Sequence, residues 1–411
     1  MQFGLIGKHL SHSYSVEIHN IIADYDYELF ELSEDELSDF FKKRDFRGIN
    51  VTIPYKEAVI PYLDEISDTA KKIGAVNTVI NRHGRLFGYN TDFYGMRALI
   101  KHTGLNLDGK KVLILGTGGT SKTAFAVAES LGAKDIIFVS RTKKTGAVTF
   151  SEVYDFHNDA QIIINTTPCG MFPNVDGTPI MIDSFSDLEG IIDAVYNPLR
   201  TNLVLDGKSR NILAEGGLYM LSAQAVYASK LFLDKVAEDD LIDFAFKSVK
   251  KQKENIVLIG MPSCGKTTIG KMLSDALGKD FFDSDFEITE RIGITIPEFF
   301  KRYGEKKFRE IEKEVIASLS KKSDSIISTG GGAILDHENV RALKRNGTLI
   351  FLNRPLELLT PTADRPLSSE HSALKRLFDE RYPLYRAAAD LEILADKSPE
   401  SVLNSILKEL I

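Results

Sequence analysis

Two short apolar runs, each closed by a glycine-rich turn, constrain the fold of this chain more than any other feature: Lys111-Val-Leu-Ile-Leu-Gly116 and Asn255-Ile-Val-Leu-Ile-Gly260. Runs this short, bounded by glycine, read as buried parallel strands. Each is followed by a helix-compatible stretch, Thr123 to Leu131 and Thr268 to Leu277. A strand, a tight turn and a helix, occurring twice, imply an α/β architecture. The two turns differ too much in sequence to be copies of one another. Strand-like and helix-like stretches also alternate before residue 100, so a further α/β unit precedes the first turn. The segment Asp234 to Glu254 is charged, and the strand at Ile256 begins a new fold directly after it, which puts the main boundary near residue 252.

A chain of 411 residues exceeds one ordinary core and implies two or three domains. The formal net charge of −7 argues against a dedicated nucleic-acid binder. Cys169 and Cys264 are the only cysteines and lack metal-ligand spacing, so neither a disulfide framework nor a zinc site is implied. No apolar stretch approaches the roughly 18 residues of a membrane span. No charged leader precedes the first apolar run, and the expected location is the cytoplasm. Nothing in the sequence specifies an oligomeric state.

The first turn, Gly116-Thr-Gly118-Gly119-Thr120-Ser121, suits either a dinucleotide-binding turn or a plain tight turn, because Ser121 stands where a third glycine is usual. The next strand, Ile136 to Ser140, narrows the choice. It ends in Ser140-Arg141-Thr142-Lys143-Lys144, not in the acidic residue that holds a ribose diol. A guanidinium and hydroxyls at that place suit a 2′-phosphate, which favours NADP over NAD.

Several polar clusters before residue 100 are hard to explain by packing: His12-Ser13-Tyr14-Ser15, Asn50-Val-Thr52-Ile-Pro-Tyr-Lys56-Glu57, Gly74-Ala-Val-Asn77-Thr78 and Gly88-Tyr-Asn90-Thr91-Asp92. Asn165-Thr-Thr-Pro168, Asp193-Ala-Val-Tyr196-Asn-Pro198 and Gly217-Leu-Tyr219-Met-Leu-Ser-Ala-Gln224 follow in order. Together they resemble the shikimate dehydrogenase family over roughly residues 1–250. The resemblance implies that Ser13 and Ser15 hold a substrate carboxylate, and that Thr52, Asn77, Asp92, Tyr196 and Gln224 complete the substrate site. It implies Lys56 and Asp92 as the catalytic pair. Hydride delivery to a carbonyl builds charge on oxygen, and a cationic donor beside it can stabilise and protonate that oxygen. NADP would lie on Gly116, Gly118, Gly119, Thr120, Ser121, Ser140, Arg141, Thr142 and Gly217. Tyr219 replaces a glycine of the family and is expected to narrow the mouth of the substrate site.

Gly260-Met-Pro-Ser263-Cys264-Gly265-Lys266-Thr267 matches the phosphate-binding loop at each fixed position. Ser263 through Thr268 are expected on ATP, with Lys266 at the β/γ oxygens and Thr267 on Mg²⁺. Cys264 reads as a small filler or as an exposed, reactive thiol. Downstream stand Phe282-Asp283-Ser-Asp285, Gly304-Glu-Lys-Lys-Phe308-Arg309-Glu-Ile-Glu312, Gly330-Gly331-Gly332, Asp364-Arg365-Pro366 and Arg381-Tyr-Pro-Leu-Tyr385. This order resembles the shikimate kinase family over roughly residues 254–411. The resemblance implies Asp283 at Mg²⁺, Asp285 on the reacting hydroxyl, Arg309 and Arg381 on the carboxylate, Gly331 and Gly332 against the ring, and Arg365 on a lid. Arg309 could instead pair with Glu312, three residues on in its own helix. The arginine that the family carries shortly before the lid is missing from Leu358 to Asp364.

The expected organisation is an α/β substrate-binding domain over 1–100, completed by a helix near 222–250, and a Rossmann-like NADP domain over 101–221. A P-loop domain of the nucleoside-monophosphate-kinase type follows over 252–411. The expected function is bifunctional: NADPH-dependent reduction of 3-dehydroshikimate to shikimate, then phosphorylation of the 3-hydroxyl by ATP. The alternatives are a quinate/shikimate dehydrogenase fused to a small-polyol kinase, and a non-catalytic shikimate-binding regulator.

Overall fold

Every residue of β1 (Phe3–Gly7) is buried, as expected of a strand with partners on both sides. It pairs in parallel with β2 (Tyr27–Glu31) and β3 (Gly48–Val51). With β4 (Glu65–Ile66), β5 (Thr78–Arg82) and β6 (Arg85–Tyr89) they form a mixed sheet in the order β2-β1-β3-β5-β6-β4. The computed structural model describes residues 2–10, 13–235, 239–360 and 371–410. They fall into two units, Met1–Lys251 and Gln252–Ile411.

The second sheet of the first unit is parallel throughout. It contains β7 (Lys111–Leu115), β8 (Asp135–Ser140), β9 (Ala147–Thr149), β10 (Ile162–Asn165), β11 (Gly190–Asp193) and β12 (Leu213–Glu215), ordered β12-β11-β10-β7-β8-β9. Chain order runs outward from β7 on one side and from β10 on the other. The carboxyl ends of these two strands therefore flank a switch point, where open α/β sheets bind ligands.

A helix pair joins the two sheets. Helix Thr91–Thr103 packs along helix Leu218–Leu233, and a Cβ at Gly95 would lie 2.7 Å from the Met220 carbonyl oxygen. A side chain there would push the helices apart. Met96, Leu99, Met220 and Ala223 share one core with Val112 and Ile114 of the second sheet.

Two expectations are corrected in this region. The single helix near 222–250 is two helices. The first stops at Asp234 in the left-handed region, φ 54°, and the second runs over Asp239–Lys253. A short Asp side chain tolerates that conformation. Tyr219 is buried against neighbouring helices, not at the mouth of a cleft. Its ring stacks on His102 at 3.8 Å and meets Phe246 edge-on, while its hydroxyl donates to Asp243 Oδ1 at 2.8 Å. Aromatic faces and an acceptor on these helices satisfy both halves of the side chain.

In the second unit the parallel sheet is ordered β14-β15-β13-β16-β17, with β13 (Asn255–Ile259) in the middle. Its partners are β14 (Asp280–Asp283), β15 (Ser325–Ser328), β16 (Gly347–Asn353) and β17 (Leu391–Leu394). Helix Ile296–Leu319 is broken at Gly304, φ 79° and ψ 170°, so that Glu305 to Glu312 start on a new axis. Both helices after the glycine-rich turns begin earlier than their apolar patterns, at Gly119 and at Lys266. Among the described residues no helix is long and apolar enough to cross a membrane.

Replacing Tyr219 by Phe removes one partly buried hydrogen bond. It should lower stability by about 0.5–1.5 kcal/mol in chemical unfolding. The KM for the substrate that the family resemblance implies should stay within about twofold; a larger rise would return Tyr219 to the cleft.

Candidate functional site

In the first unit, Asn90 caps the helix Thr91–Thr103 by accepting from the Phe93 N–H at 3.1 Å. Asp92 thereby falls in the first turn, where the helix dipole favours a carboxylate. Asp92 Oδ2 accepts from Lys56 Nζ at 2.7 Å and Oδ1 accepts from Asn77 Nδ2 at 2.8 Å. Asn77 is itself fixed, because its Oδ1 accepts from the Thr91 N–H at 2.6 Å. Asn50 and Thr78, not singled out from the sequence as site residues, back this cluster: Asn50 Nδ2 donates to Thr78 Oγ1 at 3.0 Å, and Tyr27 donates to Asn50 Oδ1 at 2.7 Å. Both stand within the polar clusters of the sequence, but only the sheet register aims them inward.

Ser13 and Ser15 hold each other, Oγ to Oγ at 3.0 Å, at the start of helix Ser15–Ile22. Tyr14 between them packs on Tyr196 with ring centroids 5.3 Å apart. Burial raises both phenols above their ordinary pKa, so both remain neutral hydroxyls. Thr52 is half-buried and anchored by its N–H on the Ile6 carbonyl. Gln224 is half-buried on helix Leu218–Leu233, its Cβ 3.1 Å from where a Cβ at Gly95 would stand. His12 lies outside the described residues.

At the switch point, Gly116 turns the chain with φ 111°, and a Cβ there would stand 2.8 Å from Thr166 Oγ1. Nothing lies within 4 Å of a Cβ at Gly118 or Gly119, which leaves the first turn of helix Gly119–Ser130 open to a phosphate. Thr120 is half-buried beside them. Ser121 is buried, its hydroxyl donating to the Gly118 carbonyl at 2.6 Å, so the residue replacing the third glycine closes the turn. Ser140 is buried at the end of β8, followed by exposed Arg141, Thr142, Lys143 and Lys144. Lys144 Nζ reaches across to Thr117 Oγ1 at 3.1 Å. Gly217 caps helix Leu218–Leu233, and a Cβ there would run into the Ala194 carbonyl. Asp193, fully buried nearby, accepts from Asn165, Thr201 and the Val195 N–H at 2.9, 2.6 and 3.0 Å. Burial pushes its pKa up to about 6 against these hydrogen bonds.

In the second unit Gly260 (φ 150°), Ser263 (φ 64°) and Gly265 (φ 100°) wrap the loop. Lys266 is buried, its ammonium donating to the Gly260 and Met261 carbonyls at 2.9 Å each. Cys264 is buried 3.7 Å from that ammonium, which favours the filler reading over an exposed thiol. Thr267 and Thr268 are exposed, and Thr267 Oγ1 donates to Asp283 Oδ2 at 2.7 Å. Asp283 in turn caps the helix carrying Asp285, accepting its N–H at 3.0 Å. A cavity of about 410 Å³ opens beside these groups, lined by Asp283, Asp285, Arg309, Glu312, Gly331 and Arg381 among others. Its size suits a small ligand.

Arg309 Nη1 pairs with Glu312 at 2.7 Å and Nη2 with Glu305 at 2.9 Å, so the own-helix pairing is present, on a side chain that still lines the cavity. A Cβ at Gly332 would fall against the Arg309 guanidinium, which would have to move aside. Arg381 is buried, and its Nη1 donates to the Gly331 carbonyl at 3.0 Å. Among the described residues its Nε has no hydrogen-bond partner. The guanidinium groups of Arg309 and Arg381 on the cavity wall fit an anionic ligand. Burial raises the pKa of Glu312, partly offset by Arg309. Glu312 went unassigned in the sequence although it stands in the quoted motif, since an acidic residue on a helix is usually solvated. Arg365 lies outside the described residues. Among the described residues no group of three or more His, Cys, Asp or Glu side chains is placed to hold a metal ion.

The geometry is that of a two-lobed dinucleotide-fold unit carrying a Lys–Asp pair, and of a P-loop unit whose cavity is lined by two arginines among three carboxylates. The family model "Shikimate dehydrogenase substrate binding domain" matches residues 5–79, and "Shikimate kinase" matches residues 262–411. The chain is 38% identical over 247 residues to a shikimate dehydrogenase (NADP(+)) of Clostridium beijerinckii, covering 56% of this chain and 91% of that protein. It superposes on shikimate dehydrogenase 1 of Peptoclostridium difficile with a TM-score of 0.56 and 35% identity, over 60% of this chain and 97% of the other. The Thermus thermophilus enzyme, solved with NADP(H) and shikimate, gives a TM-score of 0.55 at 28% identity, over 60% and 99%. Through its first unit the chain belongs to the shikimate dehydrogenase family, and a shikimate kinase domain follows in the same polypeptide.

Asp193 provides a test of burial inside the dehydrogenase unit. Its folded pKa of about 6 exceeds the roughly 3.9 of an unfolded Asp, so the folded state holds the extra proton. This contribution to stability is present below about pH 4 and lost as pH rises through about 6. Asp193→Asn does not titrate. Between those limits urea unfolding should show wild type losing ground to the variant by up to about 1.4 kcal/mol per pH unit, with no further change above pH 7. Parallel profiles would mean that Asp193 ionises normally.

Proposed function

We propose that the first unit reduces 3-dehydroshikimate to shikimate with NADPH, and that the second phosphorylates the shikimate 3-hydroxyl with ATP. Lys56 Nζ donating to Asp92 Oδ2 at 2.7 Å carries the first half of this reading. Lys56 gives its proton to the oxygen on which negative charge develops, and Asp92 and Asn77 keep the ammonium and the substrate hydroxyls in place. Ser13 and Ser15 take the carboxylate, with Thr52, Tyr196 and Gln224 around the ring. NADPH, when bound, supplies the hydride. The open backbone at Gly118 and Gly119 would hold its pyrophosphate, and Ser140, Arg141 and Thr142 its 2′-phosphate.

In the second unit Asp285 orients the reacting hydroxyl and accepts its proton. Arg381 and Arg309, which both line the cavity, take the substrate carboxylate. Thr267 and Asp283, already in contact, would hold Mg²⁺, which together with Lys266 neutralises charge on the phosphates when ATP is bound. The Ser263–Thr268 backbone would cradle those phosphates. Arg365 is proposed as a further cation over the transferring group.

Assays of both activities on the intact chain test the proposal. Lys56→Met should lower dehydrogenase kcat by roughly 10²–10⁴-fold while kinase turnover stays within about twofold. Loss of both activities together would show that the two units are structurally interdependent. Arg381→Ala should raise the kinase KM for shikimate at least about tenfold, since a charge-assisted hydrogen bond contributes roughly 1.5–3 kcal/mol. An unchanged KM would reopen the identity of the kinase substrate.

A further inference from the structure

Helix Gly119–Ser130, whose first turn bears the phosphate-facing glycines, is tied to the other lobe of the first unit at both ends. Near its start Lys122 Nζ lies 2.7 Å from Glu57 Oε1, and in its last turn Glu129 Oε2 lies 2.5 Å from Lys72 Nζ. Between these pairs Ala126 is buried with Ile73 and Ala75 against Phe93. Glu57 directly follows Lys56, whose ammonium is 2.7 Å from Asp92 and whose carbonyl accepts from the Val76 N–H at 2.8 Å. One peptide bond thus separates the residue holding the proton from the ion pair that grips the cofactor helix.

Lys122 and Glu57 are 46% and 58% exposed, and pairs this open contribute little to stability. The apolar contact around Ala126 carries the docking instead. A contact this close to the reacting groups still fixes relative position, and catalysis depends steeply on position. We propose that Glu57 and Lys122 form a positioning pair, setting the cofactor-binding helix in register with Lys56 so that hydride donor and proton donor reach the same carbonyl together. The proposal rests on the dehydrogenase reading above.

The test is steady-state kinetics of the intact chain in both directions of shikimate–NADP turnover. Glu57→Gln and Lys122→Gln should each lower kcat about five- to twentyfold, with KM for NADP within about twofold, in line with the cost of small misplacements. The double variant should be no worse than either single one, since the two residues act as a unit. Lys122→Arg, which keeps the cation, should recover most of the loss. Lys72→Gln, which breaks the distant pair on the same helix, should stay within about twofold. Kinase turnover and an unchanged melting temperature in the same samples report an intact fold. Should Glu57→Gln not fold, Glu57→Asp gives the same comparison on a shorter arm. The pair is overturned if Glu57→Gln matches wild type, if Lys122→Gln alone acts and does so by raising KM for NADP, or if the two losses multiply. A wild-type chain without shikimate–NADP turnover would sink the dehydrogenase reading itself, an outcome distinct from active wild type with unaffected variants.

Discussion

The first N–H groups of an α-helix have no partner within the helix, and both units are arranged to leave them open. In each, a strand apolar after its first residue, inside a parallel sheet, delivers the chain to a glycine in a conformation that other residues avoid, φ 111° at Gly116 and 150° at Gly260. Side chains at these points would strike Thr166 in one unit, and Cys264 and the Leu352 carbonyl in the other. The helix that follows then points its unpaired donors and its positive end at the carboxyl edge of the sheet. Around that edge the remaining site residues collect, because neighbouring parallel strands end at the same level: Ser140 and Asn165 in the first unit, Asp283 and Ser328 in the second.

The two proposed substrate sites handle charge differently. Lys56 and Asp92 neutralise each other at the floor of the first, where the remaining groups are neutral amides and hydroxyls. The cavity of the second gathers Arg309, Arg381, Glu312 and Asp285. Burying such groups is costly unless each finds a partner. Glu312 answers Arg309, while Arg381 donates to the Gly331 carbonyl and its buried Nε has no partner among the described residues. The two guanidinium groups on the cavity wall offer an anion charged, directional donors among these carboxylates.

Much of this was legible in the chain, and the misses share a cause. The sheets, the glycine turns, the Lys56–Asp92 pairing and the Thr267–Asp283 contact follow from local patterns or from motif order. Tyr219 was misread because the motif shows only that it is not glycine. Where its ring goes depends on His102 and Phe246, remote in sequence. Ser121 in place of a third glycine leaves the type of turn open in the sequence, and its hydroxyl bonding the Gly118 carbonyl is visible only in the fold. Asp193 carries no sequence sign of its raised pKa, since that shift comes from complete burial among β10, β11 and the Thr201 turn.

Apolar periodicity, glycine placement and charge type are properties of neighbouring residues, so the strand–turn–helix order, the two nucleotide turns and the basic end of β8 were determined locally. Gly95 against Met220, Glu312 between Asp285 and the arginines, and Lys122 against Glu57 were decided only in three dimensions. Each joins segments that can lie far apart in the chain, as Gly95 and Met220 do, through a close approach whose geometry is set by how helices settle on sheets. Burial and distance, which determine whether a charge is paired, raised in pKa or left open for a ligand, exist only after that packing is complete.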